Sequence, residues 1–253
     1  MLDHPVPQER AAWLALRLAQ GRSLLARHGL RLLAVELILT LIGSVPALLW
    51  LLPGMRHGLT MTAVITALLS IPAAFSAALL WSASLRIVSQ DLSDDSPRIT
   101  AGQALLAGLR GDGLRGVLRL WGWLLLLEVL TLPSLLRYLD LDLWVEFVRS
   151  PWINVFGGVS WYIAFATALL PMAVLLERRA MRRALALSHG KLGTAAGIVA
   201  LLALGLVVDR LTDLLPSGLI EALVSTAVSI PLSVLMTVGF YVIYLARTEE
   251  TVL

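Results

Sequence analysis

The sequence predicts an all-α, polytopic transmembrane helical bundle with six spans and both termini in the cytoplasm. Three observations carry this. Hydrophobic residues make up 58% of the 253-residue chain and charged residues 15%, where a soluble domain holds about 45–50% and about 25%. The apolar residues gather in six runs, each near the roughly 20 residues a helix needs to cross a bilayer. The Arg and Lys residues alternate from side to side of those runs. This balance excludes an ordinary soluble enzyme, a disordered chain and a nucleic-acid module.

The runs fall at residues 32–53, 59–85, 117–137, 152–176, 192–212 and 218–245. They are continuous and Leu/Ala-rich, without the alternation of a barrel strand. Lipid offers no partner for unpaired backbone groups, so helices are expected. No cleavable leader is expected, because the first long run begins only after Arg31. Sixteen basic residues fall before span 1, between spans 2 and 3, between spans 4 and 5, and after span 6. Only Arg56, Arg137, Arg149 and Arg210 fall on the other side. That segregation places both termini in the cytoplasm, and the Leu/Ala/Arg-rich, Lys-poor composition suggests a bacterial protein, expected in the inner membrane.

Between the spans, segments 8–29, 97–116 and 177–191 are too polar to cross and Leu-rich enough to touch lipid. They are expected to be interfacial cytoplasmic helices, residues 1–31 holding the first. Their arginines read in two ways. Arg17, Arg27, Arg31, Arg115, Arg119, Arg178, Arg179, Arg182 and Arg183 could contact anionic phospholipid or a partner. The plainer reading, that they serve as elbows obeying the positive-inside rule, is preferred. On the opposite side, residues 138–150 mix Leu143, Trp144 and Phe147 with acids, and read as a short interfacial helix ended by Pro151.

A hairpin repeat is a further reading. Each unit would begin with a basic helix, turn at Gly21, Gly111 or Gly190, and run out and back. Ser70-Ile-Pro72 in span 2 recurs as Ser229-Ile-Pro231 in span 6. Basic flanks common to any such hairpin are the plainer explanation. Pro72, Pro171 and Pro231 are expected to kink their spans. Gly193-Thr-Ala-Ala-Gly197 matches a helix-packing pattern.

Three acids are candidates for chemistry inside the membrane, where a carboxylate is costly. Glu128 lies mid-span among leucines. It could serve a proton- or ion-linked transport step, or be a protonated structural acid. Glu36 lies just inside span 1, within reach of Arg27 and Arg31. Glu177, followed by Arg178 and Arg179, belongs at the headgroups. Catalytic patterns are missing from the sequence. His4, His28, His57 and His189 show no metal spacing. Gly158-Val-Ser160 lacks the glycine that completes a nucleophile elbow. Asp91, Asp94 and Asp95 read as a solvated turn. No metal and no cofactor are expected, and there is no cysteine.

Glu177, then Ala184-Leu-Ala-Leu-Ser188, after a span bearing Pro171, resembles the signature of a bacterial family. This is the membrane domain associated with glycerophosphodiester phosphodiesterases, together with its stand-alone relatives of the YciC type. Pro97-Arg-Ile-Thr-Ala-Gly-Gln-Ala-Leu105 and Phe240-Tyr-Val-Ile-Tyr-Leu-Ala-Arg-Thr-Glu249 are similar to two further pieces of it. His189-Gly190 directly after Ser188, and a tail without an aspartate, depart from the pattern. The resemblance implies a six-helix membrane module over nearly the whole chain, with no phosphodiesterase domain attached. The expected function is a non-enzymatic, lipid-associated scaffold or accessory subunit, the alternative being a transporter or permease component built on Glu128. Expected partners are membrane phospholipids, and another membrane protein or a second copy, but no nucleic acid.

Overall fold

The computed structural model describes residues 7–48, 59–90, 99–130, 152–179, 181–212, 214 and 219–249. The regular structure among them is helical. In chain order the helices are α1 (Pro7–Leu48), α2 (Leu59–Ser89), α3 (Ala101–Gly108), α4 (Gly111–Leu130), α5 (Trp152–Thr167), α6 (Leu170–Leu175), α7 (Met181–His189), α8 (Leu192–Thr212) and α9 (Leu219–Glu249). Among the described residues, Ser70–Ser89, Val155–Leu175, Leu192–Thr212 and Val224–Thr248 are long and apolar enough to cross a membrane. They coincide with the second, fourth, fifth and sixth apolar runs. The protein is therefore a helical bundle with the character of a multi-pass membrane protein. The ends of the first and third runs, the Asp91–Asp95 turn and the 138–150 segment lie outside the described residues.

The segment expected to be a separate interfacial helix over 8–29 is instead the first half of α1. This helix runs unbroken for 42 residues, about 63 Å at 1.5 Å per residue. One glycine in a helix interior weakens it by only about 1 kcal/mol, so Gly21 does not produce a turn. A Cβ on Gly21 would instead sit 3.9 Å from Val242 of α9. Further along, His28, Leu32, Val35, Glu36 and Leu39 are buried. Their spacing of three and four residues makes one helical face. That face packs on α9 and α2. Glu36 hydrogen-bonds Ser233 of α9, so its carboxyl engages α9 and not Arg31, whose guanidinium donates to the Ile99 carbonyl at 3.5 Å. Gly21 near Val242 and Glu36 near Ser233 make α1 and α9 antiparallel. Leu30, Leu37, Leu41 and Ile42 on the outer side of α1 are exposed.

Segment 97–116 is a helix–turn–helix, not a single helix. Thr100 caps α3: its hydroxyl accepts the Gln103 N–H and the Gln103 side chain accepts the Thr100 N–H, at 3.3 and 2.9 Å. This reciprocal box satisfies two donors that a helix start leaves open. The chain then reverses at Gly111, whose φ of +51° suits a residue without Cβ. Of the three glycines expected at hairpin turns, Gly111 and Gly190 lie at turns and Gly21 does not.

The prolines act differently from one another. Pro72 and Pro231 each lie inside an unbroken 31-residue helix. Pro171 does not kink a continuous span; it sits in the first turn of α6, after α5 has stopped at Thr167. Proline is at home there because the first helical N–H groups have no internal partner. The fourth span is thus two helices.

Between α8 and α9 the glycines also diverge. A Cβ on Gly193 would meet nothing, one on Gly197 would lie 3.0 Å from Ile243, and one on Gly239 would lie 2.8 Å from Leu201. Only the second glycine of the GxxxG pattern packs. Gly239→Ile is therefore expected to destabilise the bundle by about 1–3 kcal/mol. Gly193→Ala should hold or raise stability. Unfolding by detergent titration of the purified protein measures both.

The core gathers toward the end of the bundle where α2 finishes and α4 begins. Leu85, Ile87, Val88, Leu120, Leu169, Leu170, Met172 and Leu187 are essentially inaccessible there. Trp121 of α4 donates to the Ile71 carbonyl at 3.0 Å and meets the Phe75 ring edge-on, fastening α4 to α2.

Candidate functional site, an arginine pocket

The core end of the bundle carries an open pocket built from three helices. Arg86 stands in the last turn of α2. Asp112, Arg115, Gly116 and Arg119 stand at positions i, i+3, i+4 and i+7 on α4, so they share a face. Val174 and Leu175 end α6, and Arg178 follows in the turn. Together they line a cavity of about 170 Å³. A second cavity of about 230 Å³ shares Arg86, Asp112, Gly116 and Leu175, and extends the space to Ser82, Leu85 and Leu176. The mouth is thus cationic, and the inner wall is apolar.

Asp112 organises the mouth. Its two carboxylate oxygens accept Arg178 at 3.2 Å and Arg115 at 3.4 Å. These pairs are largely exposed and contribute little to stability; their effect is to set side-chain direction. Four guanidinium groups face one carboxylate, leaving the pocket strongly positive. The first turn of α4 adds the partial positive charge of a helix N-terminus.

Two glycines make the approach possible. A Cβ on Gly116 would lie 3.3 Å from the Leu175 side chain, so the floor of the pocket closes tightly there. A Cβ on Gly113 would run into the Ala107 carbonyl oxygen and crowd the Arg86 guanidinium at 2.7 Å. Gly113 therefore lets the start of α4 fold against the end of α3 with Arg86 beside it.

The turn carrying Arg178 is constrained on both sides. Arg178 has φ +55°, the one non-glycine residue at positive φ among those described. For an L-residue with a Cβ this costs about 1–2 kcal/mol. The Arg179 N–H folds back to the Ala173 carbonyl at 2.9 Å, and the Leu176 N–H to Met172 at 2.9 Å. On the N-terminal side of Arg178, Glu177 accepts Arg183 Nε at 2.7 Å, with side chains 16% and 25% exposed. Tyr244 of α9 lies near the same carboxylate. Ser188 closes the next turn, fully buried, with its hydroxyl shared between the Ala184 and Ala166 carbonyls at 3.0 and 3.3 Å.

The basic residues singled out in the sequence separate into groups. Arg115, Arg119 and Arg178 line the pocket. Arg183 is held inside by Glu177, Arg31 by the Ile99 carbonyl, and Arg17 by Gln20 at 2.8 Å. Arg27, Arg179 and Arg182 are exposed and line neither cavity. Of the three acids, Glu177 lies beside the pocket and Glu36 lies between α1 and α9. Glu128 is on α4, with its side chain outside the described set. Sequence reasoning missed Arg86 and Asp112. The Asp112–Arg115 spacing of three was the available signal for the second. Among the described residues, no group of three His, Asp or Glu side chains is placed to hold a metal. No family model, curated protein or solved structure matches the chain.

Proposed function

We propose that this protein is a non-enzymatic, six-span membrane module that holds an anionic phospholipid in the arginine pocket and serves as a lipid-associated scaffold or accessory subunit. In this reading both termini face the cytoplasm of a bacterial inner membrane. The observation that carries it is the convergence of Arg86, Arg115, Arg119 and Arg178, from two helices and a turn, on one cavity with an apolar wall. Guanidinium groups bind phosphate through paired, charge-assisted hydrogen bonds. The shared chemistry is a phosphate group. A lipid is its source because Val174, Leu175, Leu176 and Leu85 continue the pocket into the span-forming part of α2 and α6, where acyl chains lie.

A binding role fits the lining residues better than a catalytic one. Asp112, the one carboxylate among the described residues that line either cavity, is engaged by two arginines. The family resemblance belongs to this proposal as a divergent relationship. It is supported by the way Glu177 and Tyr244, both from the resembling segments, lie together beside the turn that carries Arg178. Of the acids considered for a transport role, Glu36 is occupied by Ser233.

The test is retention of lipid by the purified protein, read by native mass spectrometry after extraction from nanodiscs. Discs of phosphatidylcholine mixed with phosphatidylglycerol should leave phosphatidylglycerol on the protein. Soluble glycerol phosphate in millimolar excess should fail to displace it. Equal retention of both lipids would overturn the reading, and displacement by glycerol phosphate would make the ligand a soluble phosphate.

A further inference from the structure

We infer that Glu177 is a positioning residue that sets the anion affinity of the pocket by holding Arg178 in its left-handed turn. This rests on the phosphate-binding reading above and names the device that regulates it. Glu177 lines neither cavity. It is joined to Arg178 by one peptide bond, and its carboxylate is fixed from the other side by Arg183 of α7 at 2.7 Å, largely out of solvent. Arg178, at φ +55°, turns the opposite way and reaches Asp112 of α4 at 3.2 Å. The unfavourable backbone conformation persists only while its surroundings hold it. One of those holds is the Glu177–Arg183 pair, and another is the return of the Arg179 N–H to Ala173.

The chain of contacts therefore runs from α7 through Glu177 to Arg178, and from Arg178 to the first turn of α4. Release of Glu177 lets the turn relax, and a relaxed turn carries the Arg178 guanidinium away from Arg115 and Arg119. The pocket then keeps its other three cations but loses the preorganised fourth. A ligand that finds its donors already in place avoids the cost of ordering them.

This makes a prediction whose sign opposes simple electrostatics. Glu177→Gln removes a negative charge close to a cationic pocket. If charge alone governed affinity, anionic lipid would bind more tightly. Positioning predicts the reverse, a loss of phosphatidylglycerol affinity of roughly fivefold or more, the lower end of a typical coupling between sites. Glu177→Asp, which can still accept Arg183, should recover part of that loss. Arg178→Gly separates binding from folding. Glycine adopts the turn without penalty, so unfolding resistance should hold or rise while lipid affinity falls roughly tenfold, the scale of one lost charge-assisted contact.

The experiment titrates phosphatidylglycerol into wild type and the three variants in phosphatidylcholine nanodiscs, with detergent unfolding measured alongside. Weaker binding in Glu177→Gln, partial recovery in Glu177→Asp and the binding–stability split in Arg178→Gly support the inference. Unchanged or tighter binding in Glu177→Gln overturns it while leaving the pocket itself standing. Wild type that does not prefer phosphatidylglycerol would instead remove the lipid-binding reading on which it rests.

Discussion

Replacing Arg115 and Arg119 together by alanine is expected to lower phosphatidylglycerol affinity about 100-fold. The two residues lie four apart on α4 and face the same cavity. A hydrogen bond to a charged group is worth about 1.5–3 kcal/mol, and each 1.4 kcal/mol is about tenfold in affinity. Neither residue is buried, and the exposed Asp112–Arg115 pair contributes little to folding. Unfolding resistance should therefore change by less than about 1 kcal/mol. Arg182→Ala with Arg179→Ala removes the same total charge from exposed positions that line neither cavity. That control should change affinity less than about threefold, as screened surface charges do. Lipid titration in nanodiscs measures both pairs. Equal losses would mean that diffuse basic charge, and not the pocket, attracts the lipid.

The second large effect is on folding. Gly113→Ala is expected to destabilise the protein by about 2–4 kcal/mol, at the severe end for a single methyl group. The added carbon would collide with the Ala107 carbonyl, which is backbone and cannot rotate away, and with the Arg86 guanidinium. Relief requires the start of α4 to move off α3, which opens the turn at Gly111 and displaces Asp112 and Arg115. Gly102→Ala is the matched control. A Cβ there meets nothing within 4 Å, and alanine favours the helix by up to about 1 kcal/mol. Detergent titration followed by circular dichroism should show the two substitutions moving stability in opposite directions.

The helical, membrane-type architecture was legible because burial in lipid demands long apolar runs, and such runs are visible in any window of the sequence. Four of them reappear as membrane-length segments, Val155–Leu175 and Leu192–Thr212 with nearly the expected limits and Ser70–Ser89 and Val224–Thr248 displaced toward the C-terminus. The break at Ala168–Leu169 could be anticipated only as a kink, because the sequence gives Pro171 but not where the preceding helix stops. The course of α1 was harder. Composition changes sharply near Arg31, and a polar-to-apolar boundary looks like a joint. Helical backbone hydrogen bonds, however, do not depend on which side chains they carry, and α1 continues through the change.

The site was legible in part for a similar reason. Arg115, Arg119 and Arg178 stood out as basic residues near membrane ends, but so did Arg31 and Arg183. What separates them is the partner that each meets in three dimensions. The Ile99 carbonyl and Glu177 take the latter two, leaving the former three around a cavity. Arg86 was counted for topology alone, since its place beside α4 depends on the α3–α4 reversal at Gly111 and the bare backbone of Gly113. The left-handed turn at Arg178 has no sequence signature, because the residues that prefer that conformation are glycine and asparagine.

The central claim is that one phosphate-bearing headgroup rests between α2, α4 and the turn after α6. The most direct measurement is photo-crosslinking with an anionic phospholipid that carries the reactive group on its headgroup, followed by peptide mapping of the adducts. The account predicts adducts concentrated within residues 112–119 and 174–178, and their loss in the Arg115→Ala, Arg119→Ala variant. Adducts spread over Arg22, Arg27 and Arg182 in proportion to exposure, unchanged by that variant, would contradict it.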